Sequence, residues 1–234
     1  MQMWVVQLVS TFTLAAVALF IAFLGNRFIE KWKHKFYAPD LYFEFEFEEP
    51  HRHQTTMRRD VIEDGVKTGE KYFPCYYFNF AVVNKGRSAA EDCEAVLEKV
   101  WHRDGTGNWH EWKNFLGVNL IWAFGDPPKG ILKTIYPGRK VFCNIGHIEH
   151  PEHQAQSWYR KIREEDKKKN KFFFESPDRP YVQWDCLVPD RYPYKIRISV
   201  HGKNVKNITR TFQISWSGEW KDDEREMFKE VQIS

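Results

Sequence analysis

Three histidines at a regular spacing, His147, His150 and His153, are the residues whose type and position could do chemistry in this chain. Neutral imidazoles at this interval suit zinc or copper if the chain curls around one ion. Pro151 disfavours a regular helix through the three positions, the sequence supplies no fixed fourth ligand, and nine histidines in one chain also cluster by chance. We therefore assign no metal ligand and expect no cofactor, and we keep metal binding by this cluster as a hypothesis.

The sequence contains none of the common catalytic signatures. It has no G-x-x-x-x-G-K-[ST] loop, no G-x-G-x-x-G, no G-x-S-x-G and no H-E-x-x-H. The four cysteines, Cys75, Cys93, Cys143 and Cys186, form no C-x-x-C pair, so their spacing indicates neither a zinc ribbon nor a redox motif. We expect no catalytic residue and predict that the protein is not an enzyme. An enzyme of an unfamiliar kind would need polar groups that converge in a pocket.

Sugar chemistry is a second possibility. Asn207-Ile208-Thr209 is a glycosylation sequon, which matters only for a domain outside the cytoplasm of a eukaryote. The chain has 19 Phe, 10 Tyr and 10 Trp, and exposed rings could stack on sugars. Aromatic residues at alternating strand positions more often belong to a core, so carbohydrate binding is the alternative interpretation.

The most distinctive segment is an apolar run near the N-terminus. Trp4–Leu24 carries no charge, and the basic stretch Arg27–Lys35 follows it. At ~1.5 Å per residue, a helix of this length matches the ~30 Å hydrocarbon core of a bilayer. A cleaved signal peptide would need a basic start, a shorter apolar core and a small-x-small site, which are all missing. We predict a transmembrane helix over residues 1–25 and a basic juxtamembrane linker over 26–39.

The charges that flank this segment predict its orientation. The C-terminal flank holds Glu30 and four cations, whereas the N-terminal flank has only its amino group. The cations at the predicted membrane interface are Arg27, Lys31, Lys33 and Lys35. The positive-inside tendency then places the N-terminus outside and the C-terminal domain in the cytoplasm of a single-pass membrane protein, with membrane lipid as a partner.

One face of the predicted helix carries small and hydrogen-bonding residues. They are Gln7, Thr11, Ala15, Ala18 and Ala22. Spacings of four and three residues bring them into one stripe, which is the composition that close helix packing in lipid requires. We expect a partner transmembrane helix or self-association, although Ala and Thr also occur by chance on lipid-facing helices.

The charge balance of the remaining chain argues against one class of partner. The formal net charge is +3, and Arg27–Lys35 accounts for all of it. Residues 36–234 are therefore neutral overall, whereas nucleic-acid-binding domains usually carry a basic excess. We expect no nucleic acid as a partner.

Alternation of apolar and polar residues predicts a mainly β domain after the linker. The predicted strands are Leu41–Glu49, Tyr72–Asn84, Cys93–His102, Leu116–Phe124, Arg139–Gly146, Tyr181–Val188, Tyr194–His201 and Thr209–Trp216. In the first of them, Glu44, Glu46 and Glu48 are interpreted as the hydrated face and not as a ligand array. Residues 50–70 are expected to form a loop or a loose hairpin, Cys93–His102 an antiparallel neighbour of Tyr72–Asn84, and the last two strands a closing hairpin.

These strands divide the chain into a domain and a tail. We predict a β-sandwich domain over residues 40–218, with a charged insertion near 147–180, and a short amphipathic helix within 219–234. The lysine-rich stretch Arg160–Lys171 in the insertion is read as a solvated loop or helix end, with contact to anionic lipid as the alternative.

The stretch FAVVNKGRSAAEDCEAVLEKV resembles the second and third strands of immunoglobulin-like modules of the bacterial cell-adhesion-related (CARDB) type, which occur in membrane-anchored proteins of unknown function. The matching positions are Asn84, Gly86, Ala89 or Ala90, and Cys93. The resemblance covers about half of the soluble region. It implies an immunoglobulin-like antiparallel β-sandwich.

Together these features predict a non-catalytic accessory or scaffolding module of a membrane complex. The alternative is an extracytoplasmic module that binds carbohydrate or metal.

Overall fold

The computed structural model describes residues 20–29, 37–63, 66–113, 115–124, 130–152, 170–177, 186–187 and 193–234. The strands in chain order are β1 (Leu41–Glu44), β2 (Arg52–Glu63), β3 (Val66–Asn84), β4 (Ala90–Arg103), β5 (Trp109–Glu111), β6 (Val118–Asn119), β7 (Lys133–Ile135), β8 (Lys140–Glu149), β9 (Phe172–Phe174), β10 (Cys186–Leu187), β11 (Tyr194–His201), β12 (Ile208–Ser215) and β13 (Gln232–Ile233). One helix, Glu224–Glu230, lies between β12 and β13.

The strands form two antiparallel sheets. The first sheet has the order β1-β3-β8-β9-β10, with β2 also paired to β3. The second has the order β13-β12-β11-β4-β5, and β6 and β7 also pair with β4. The prediction of a mainly β, antiparallel fold is confirmed.

The inward side chains of both sheets make one hydrophobic core. Phe78 and Phe80 of β3 are fully buried, and so are Leu97 of β4, Ile196 of β11 and Phe212 of β12. Leu97, Ile196 and Phe212 alternate along their strands with more exposed neighbours, because successive side chains of a strand point to opposite faces, whereas β3 is buried on both faces from Phe78 to Asn84. This periodicity made β11 and β12 predictable, and they form the expected hairpin, with Tyr194 opposite Ile214.

The region 50–70, predicted to be a loop or a loose hairpin, holds paired strands and is a hairpin longer than expected. β2 pairs with β3 from Arg52 opposite Phe78 to Glu63 opposite Val66. Its outer part carries charged side chains, and Lys67 pairs there with both Asp60 and Glu70. This polar composition conceals the strands from a search for hydrophobic alternation.

The predicted pairing of Cys93–His102 with Tyr72–Asn84 is wrong. Strand β4, which contains Cys93–His102, lies in the second sheet between β11 and β5, whereas β3 lies in the first. The chain crosses from one sheet to the other between Asn84 and Ala90, and Ala90 is fully buried where it does so. A small residue fits this crossing because the two sheets approach each other there.

Other strand boundaries also differ from the prediction. β1 ends at Glu44, so the alternating sequence pattern continues beyond the residues that pair with β3. The predicted strand Leu116–Phe124 supplies only β6 and an isolated bridge from Trp122 to Cys143. β8 extends to Glu149 and β9 covers Phe172–Phe174, so both ends of the predicted insertion near 147–180 belong to the first sheet.

The C-terminal helix matches its predicted character. The Asp223 side chain accepts the backbone N–H of Glu226 and caps the N-terminus, and Met227 and Phe228 are buried. The helix occupies only Glu224–Glu230 of the predicted range 219–234, because β13 follows it directly.

The first residues that the structure describes form a short helical stretch. Residues 20–29 are helical, and their large apolar side chains, Phe20, Ile21, Phe23, Leu24, Phe28 and Ile29, are each about half exposed or more. In the part of the chain that the structure describes, no helix combines the length and the apolar character needed to cross a membrane. Residues 1–19, which hold most of the predicted span, lie outside the described residues.

Candidate functional site

The first histidine of the predicted cluster is engaged by carboxylates. His147, in β8, is 1% exposed. Its Nε2 lies 3.1 Å from Glu149 Oε1, and its Nδ1 lies 2.5 Å from Glu175 Oε1. Burial lowers the pKa of His147, but its hydrogen bonds to the two glutamates outweigh burial and raise this pKa to about 9. His147 is therefore a cation held between two anions.

Tyr77 completes this buried group. Its ring stacks on the His147 ring with 5.1 Å between centroids, and its hydroxyl donates to Glu175 Oε1 at 3.2 Å. The pKa of Tyr77 is raised, first by burial and then by the charge of Glu175, so the phenol stays protonated. His147, Glu149, Glu175 and Tyr77 therefore form a buried ion cluster.

The predicted histidine triad does not assemble around one metal ion in the described residues. Both nitrogens of His147 face carboxylates, as given above. His150 stacks on Phe73 and contacts the edge of Trp220, and its Nδ1 accepts the backbone N–H of Glu152 at 3.3 Å. His153 lies outside the described residues.

A different group brings metal-binding side chains together. One ligand atom each from Glu44, Glu46 and His51 lies within 4.8 Å of the other two. Glu44 ends β1, and Glu46 follows it on the same side of the extended chain. Lys140, from β8, makes an ion pair with the Glu44 carboxylate. The glutamates that the sequence assigned to a hydrated face therefore meet a histidine.

His51 is the buried member of this group. It is 1% exposed and lies against the rings of Phe45 and Phe142, with centroids 5.7 and 5.2 Å away. Its Nδ1 is buried and has no hydrogen-bond partner. Burial lowers the pKa of His51.

A third feature is the outer surface of the second sheet at the C-terminal end of β4 and the N-terminal end of β11. We name it the tryptophan–cation face and define it as Lys99, Trp101, Trp109, Lys195 and Arg197. All five side chains are half-buried. They alternate with core residues such as Val100 and Ile196, so they point away from the core.

Cations cover the indole rings of this face. The Lys195 ammonium lies 4.1 Å from the ring centroid of Trp109, and the Arg197 guanidinium lies 5.2 Å from that of Trp101. Strand pairing sets Trp101 directly opposite Lys195 on one side and Glu111 on the other. Glu111 forms an ion pair with Lys99 at 2.9 Å, which leaves the face with a cationic excess.

The tryptophan–cation face lies far from the point where the chain enters the sandwich. Asp40 donates its backbone N–H to the Asn84 side chain at 3.1 Å, beside the start of β4 at Ala90. At ~3.3 Å per residue, the distance along β4 from Ala90 to Trp101 is about 35 Å. The face and the entry of the chain at Asp40 are therefore at opposite ends of β4.

The cysteines are unsuited to nucleophilic chemistry. None of the four, all of which the structure describes, forms a disulfide, and Cys75, Cys93 and Cys143 are buried. Burial raises the pKa of each of these three, for Cys93 to about 11. A catalytic cysteine requires the opposite shift, because the thiolate is the nucleophile.

Most of the residues predicted for membrane contact lie outside the part of the chain that the structure describes. Gln7, Thr11, Ala15 and Ala18 of the packing stripe and Lys31, Lys33 and Lys35 of the interface lie outside the described residues. Ala22 is exposed on the helical stretch. The Arg27 guanidinium lies 4.9 Å from the ring centroid of Phe23.

Sequence reasoning missed the Glu44, Glu46 and His51 group and the tryptophan–cation face. A signal for the face was present, since Lys99 and Trp101 alternate with core residues along one strand and Lys195 and Arg197 along another. The sequence does not show that these strands are neighbours. Comparison of the chain with protein-family models, with curated proteins and with solved structures finds no match.

Proposed function

We propose that this protein is a single-pass, membrane-anchored, non-catalytic interaction module of a membrane complex. The observation that carries the proposal is the helical stretch 20–29, whose apolar side chains are exposed and pack on no core. It continues the uncharged run Trp4–Leu24. Contiguous exposed apolar surface of this kind is characteristic of contact with lipid or another helix.

The proposed topology has the N-terminus outside and the sandwich in the cytoplasm. It is supported by the cations that follow the apolar run, beginning with Arg27. It is also supported by the four cysteines, all of them among the described residues, which form no disulfide. A reducing compartment keeps thiols in this state. Gln7 and Thr11, on the small-residue stripe, are the proposed contacts to a second transmembrane helix.

The sandwich is proposed to be immunoglobulin-like and of the CARDB type. The two antiparallel sheets are compatible with this, and so is the turn after β3. There Asn84 accepts the backbone N–H of Gly86 and the chain crosses between the sheets at Ala90. These are the positions on which the resemblance rests.

The proposed binding surface is the tryptophan–cation face, and its proposed partner is an acidic protein surface. Tryptophan and arginine are the residues that contribute most often to strong protein interfaces, and the cationic excess complements an acidic partner. The cation–π contacts hold Lys195 and Arg197 in place before binding. Less side-chain entropy is then lost when the partner docks.

The alternative, an extracytoplasmic carbohydrate-binding module, is less compatible with this geometry. Sugar binding by stacking needs an open indole surface. Here a cation already lies against each indole, Lys195 on Trp109 and Arg197 on Trp101.

Charge reversal on the face tests the proposal. The full chain is extracted from membranes with a mild detergent, and the size of its assembly is measured by sedimentation. We expect Lys195→Glu combined with Arg197→Glu to reduce the assembly to the isolated protein. The control, Lys203→Glu with Lys206→Glu on the exposed β11–β12 connection, changes the charge equally and should leave the assembly intact. An assembly of equal size in both variants would refute this binding surface.

A further inference from the structure

We infer that Glu44, Glu46 and His51 form a binding site for one divalent transition-metal ion of the zinc type. Their ligand atoms lie within 4.8 Å of one another, and rotation of the exposed Glu46 side chain would bring all three to the ~2.0–2.2 Å bonds of a single ion. The site is independent of the proposed membrane function.

A second observation, which does not depend on the carboxylates, comes from His51. Its side chain is almost completely buried, yet Nδ1 has no hydrogen-bond partner. A buried polar atom without a partner costs roughly 1–3 kcal/mol. A metal ion bound at this group would use a ring nitrogen of His51 that lies within reach of both carboxylates, whereas the acidic pair alone would be an ordinary feature of a protein surface.

The ion pair of Lys140 indicates that the group of Glu44, Glu46 and His51 attracts positive charge. Its ammonium pairs with Glu44, so two carboxylates are balanced there by one cation from the chain. A bound metal ion would displace this ammonium from Glu44. Lys140 therefore competes with the metal, and its removal should increase the affinity.

The donor set selects the class of metal. One imidazole and two carboxylates suit Zn²⁺ or Mn²⁺, whereas Mg²⁺ and Ca²⁺ prefer sites made of oxygen alone. Three protein ligands leave at least one position for water, as in open zinc sites. Glu46 is exposed and Glu44 is half-buried, so an ion can reach the group from solvent.

Titration of the purified full chain in detergent with ZnCl₂, followed by calorimetry, tests the inference. We expect one equivalent of Zn²⁺ to bind. Glu46→Gln should weaken this binding by at least about tenfold, which is the loss that even an outer-shell partner can cause. Glu48→Gln, a change of the exposed glutamate two residues further on, should leave it unchanged. Because Glu46 is exposed, its substitution does not endanger folding.

Two more titrations complete the test. Lys140→Met should bind Zn²⁺ more tightly than the natural chain does, and Mg²⁺ should bind the natural chain more weakly than Zn²⁺. Absence of stoichiometric Zn²⁺ binding, equal binding by the Glu46→Gln and Glu48→Gln variants, or a preference for Mg²⁺ would each overturn the inference.

Discussion

The side-chain oxygen of Asn84 accepts the backbone N–H of Gly86 at 2.9 Å, within the turn that takes the chain from one sheet to the other. The same oxygen accepts the N–H of Asp40, and the side-chain nitrogen donates to the carbonyl groups of Ser88 and Ile135, both at 2.8 Å. One buried amide therefore joins the entry of the chain, the crossing turn and β7.

Replacement of Asn84 by Asp should destabilise the protein strongly. The carboxylate has the same shape but cannot donate to Ser88 and Ile135, so the buried carbonyl of Ile135 and the partly buried carbonyl of Ser88 lose this donor. We expect the free energy of unfolding to fall by about 3 kcal/mol in denaturant titrations of the full chain. Asn204→Asp is the matched control, because Asn204 bridges Glu91 and Ala89 in an exposed position. An equal loss in both variants would contradict the role of Asn84.

Gly86 should not tolerate a side chain. A Cβ atom at this position would overlap the backbone of Ala38, Pro39 and Asp40, which cannot move as a flexible side chain can. We expect Gly86→Ala to lower the free energy of unfolding by about 1–3 kcal/mol. Both variants are compared with the natural chain by thermal unfolding. Gly105→Ala, where a Cβ would meet no atom within 4 Å, should have little effect. Stable Gly86→Ala protein would show that the approach is looser.

The buried cluster around His147 should make stability depend on pH. Below pH 6.5 the imidazole is protonated in the folded and the unfolded chain, and the cluster contributes in full. Above 6.5 the unfolded chain releases this proton, whereas the folded chain holds it up to about pH 9. The free energy of unfolding should therefore fall between pH 6.5 and 9, by about 3 kcal/mol for this group.

Substitution of His147 tests the source of that dependence. His147→Gln leaves Glu149 and Glu175 without their cation and should cost about 3–5 kcal/mol at pH 6.5. It should also flatten the pH dependence between 6.5 and 9. His201→Gln removes a partly exposed histidine that lies 3.6 Å from Glu98, and should cost at most about 1 kcal/mol. An unchanged pH profile in His147→Gln would assign the dependence to another group.

Thiol labelling should separate the cysteines. Cys186 is half-buried, whereas Cys75, Cys93 and Cys143 are buried with raised pKa values. With a water-soluble reagent at neutral pH, we expect one thiol per chain to react rapidly and three to react only as the protein unfolds. Labelling in denaturant, where all four should react, supplies the reference. Rapid reaction of Cys143 in the native protein would contradict the packing of β8.

The sequence predicted those parts of the fold in which one face of a strand is apolar. Ile196, Ile198 and Val200 alternate with polar residues, and the structure has β11 at the predicted residues. β2 was missed as a definite strand because its outer half is held by charged side chains and by its partner strand. The sheet to which β4 belongs depends on the crossing after Asn84, which local periodicity does not encode.

The candidate sites were less predictable than the strands. His51 reaches Glu44 and Glu46 because the chain turns back after β1, and Trp101 meets Lys195 because β4 and β11 pair. Both groupings are tertiary. The regular spacing of His147 and His150 was visible in the sequence. The chemistry of His147 is decided by its two partners, which are Glu149 and Glu175. Of these, Glu175 is remote in sequence.

Protease access in sealed membrane vesicles tests the central claim most directly. The full chain carries an epitope after Ser234. One portion of the vesicles is washed with carbonate to test anchoring, and protease is added to separate, unwashed and sealed portions of right-side-out and inverted vesicles. The proposed anchor and topology predict that the epitope stays with the washed vesicles and is lost only from the inverted ones. Release of the chain by carbonate, or loss of the epitope only from right-side-out vesicles, would contradict the account.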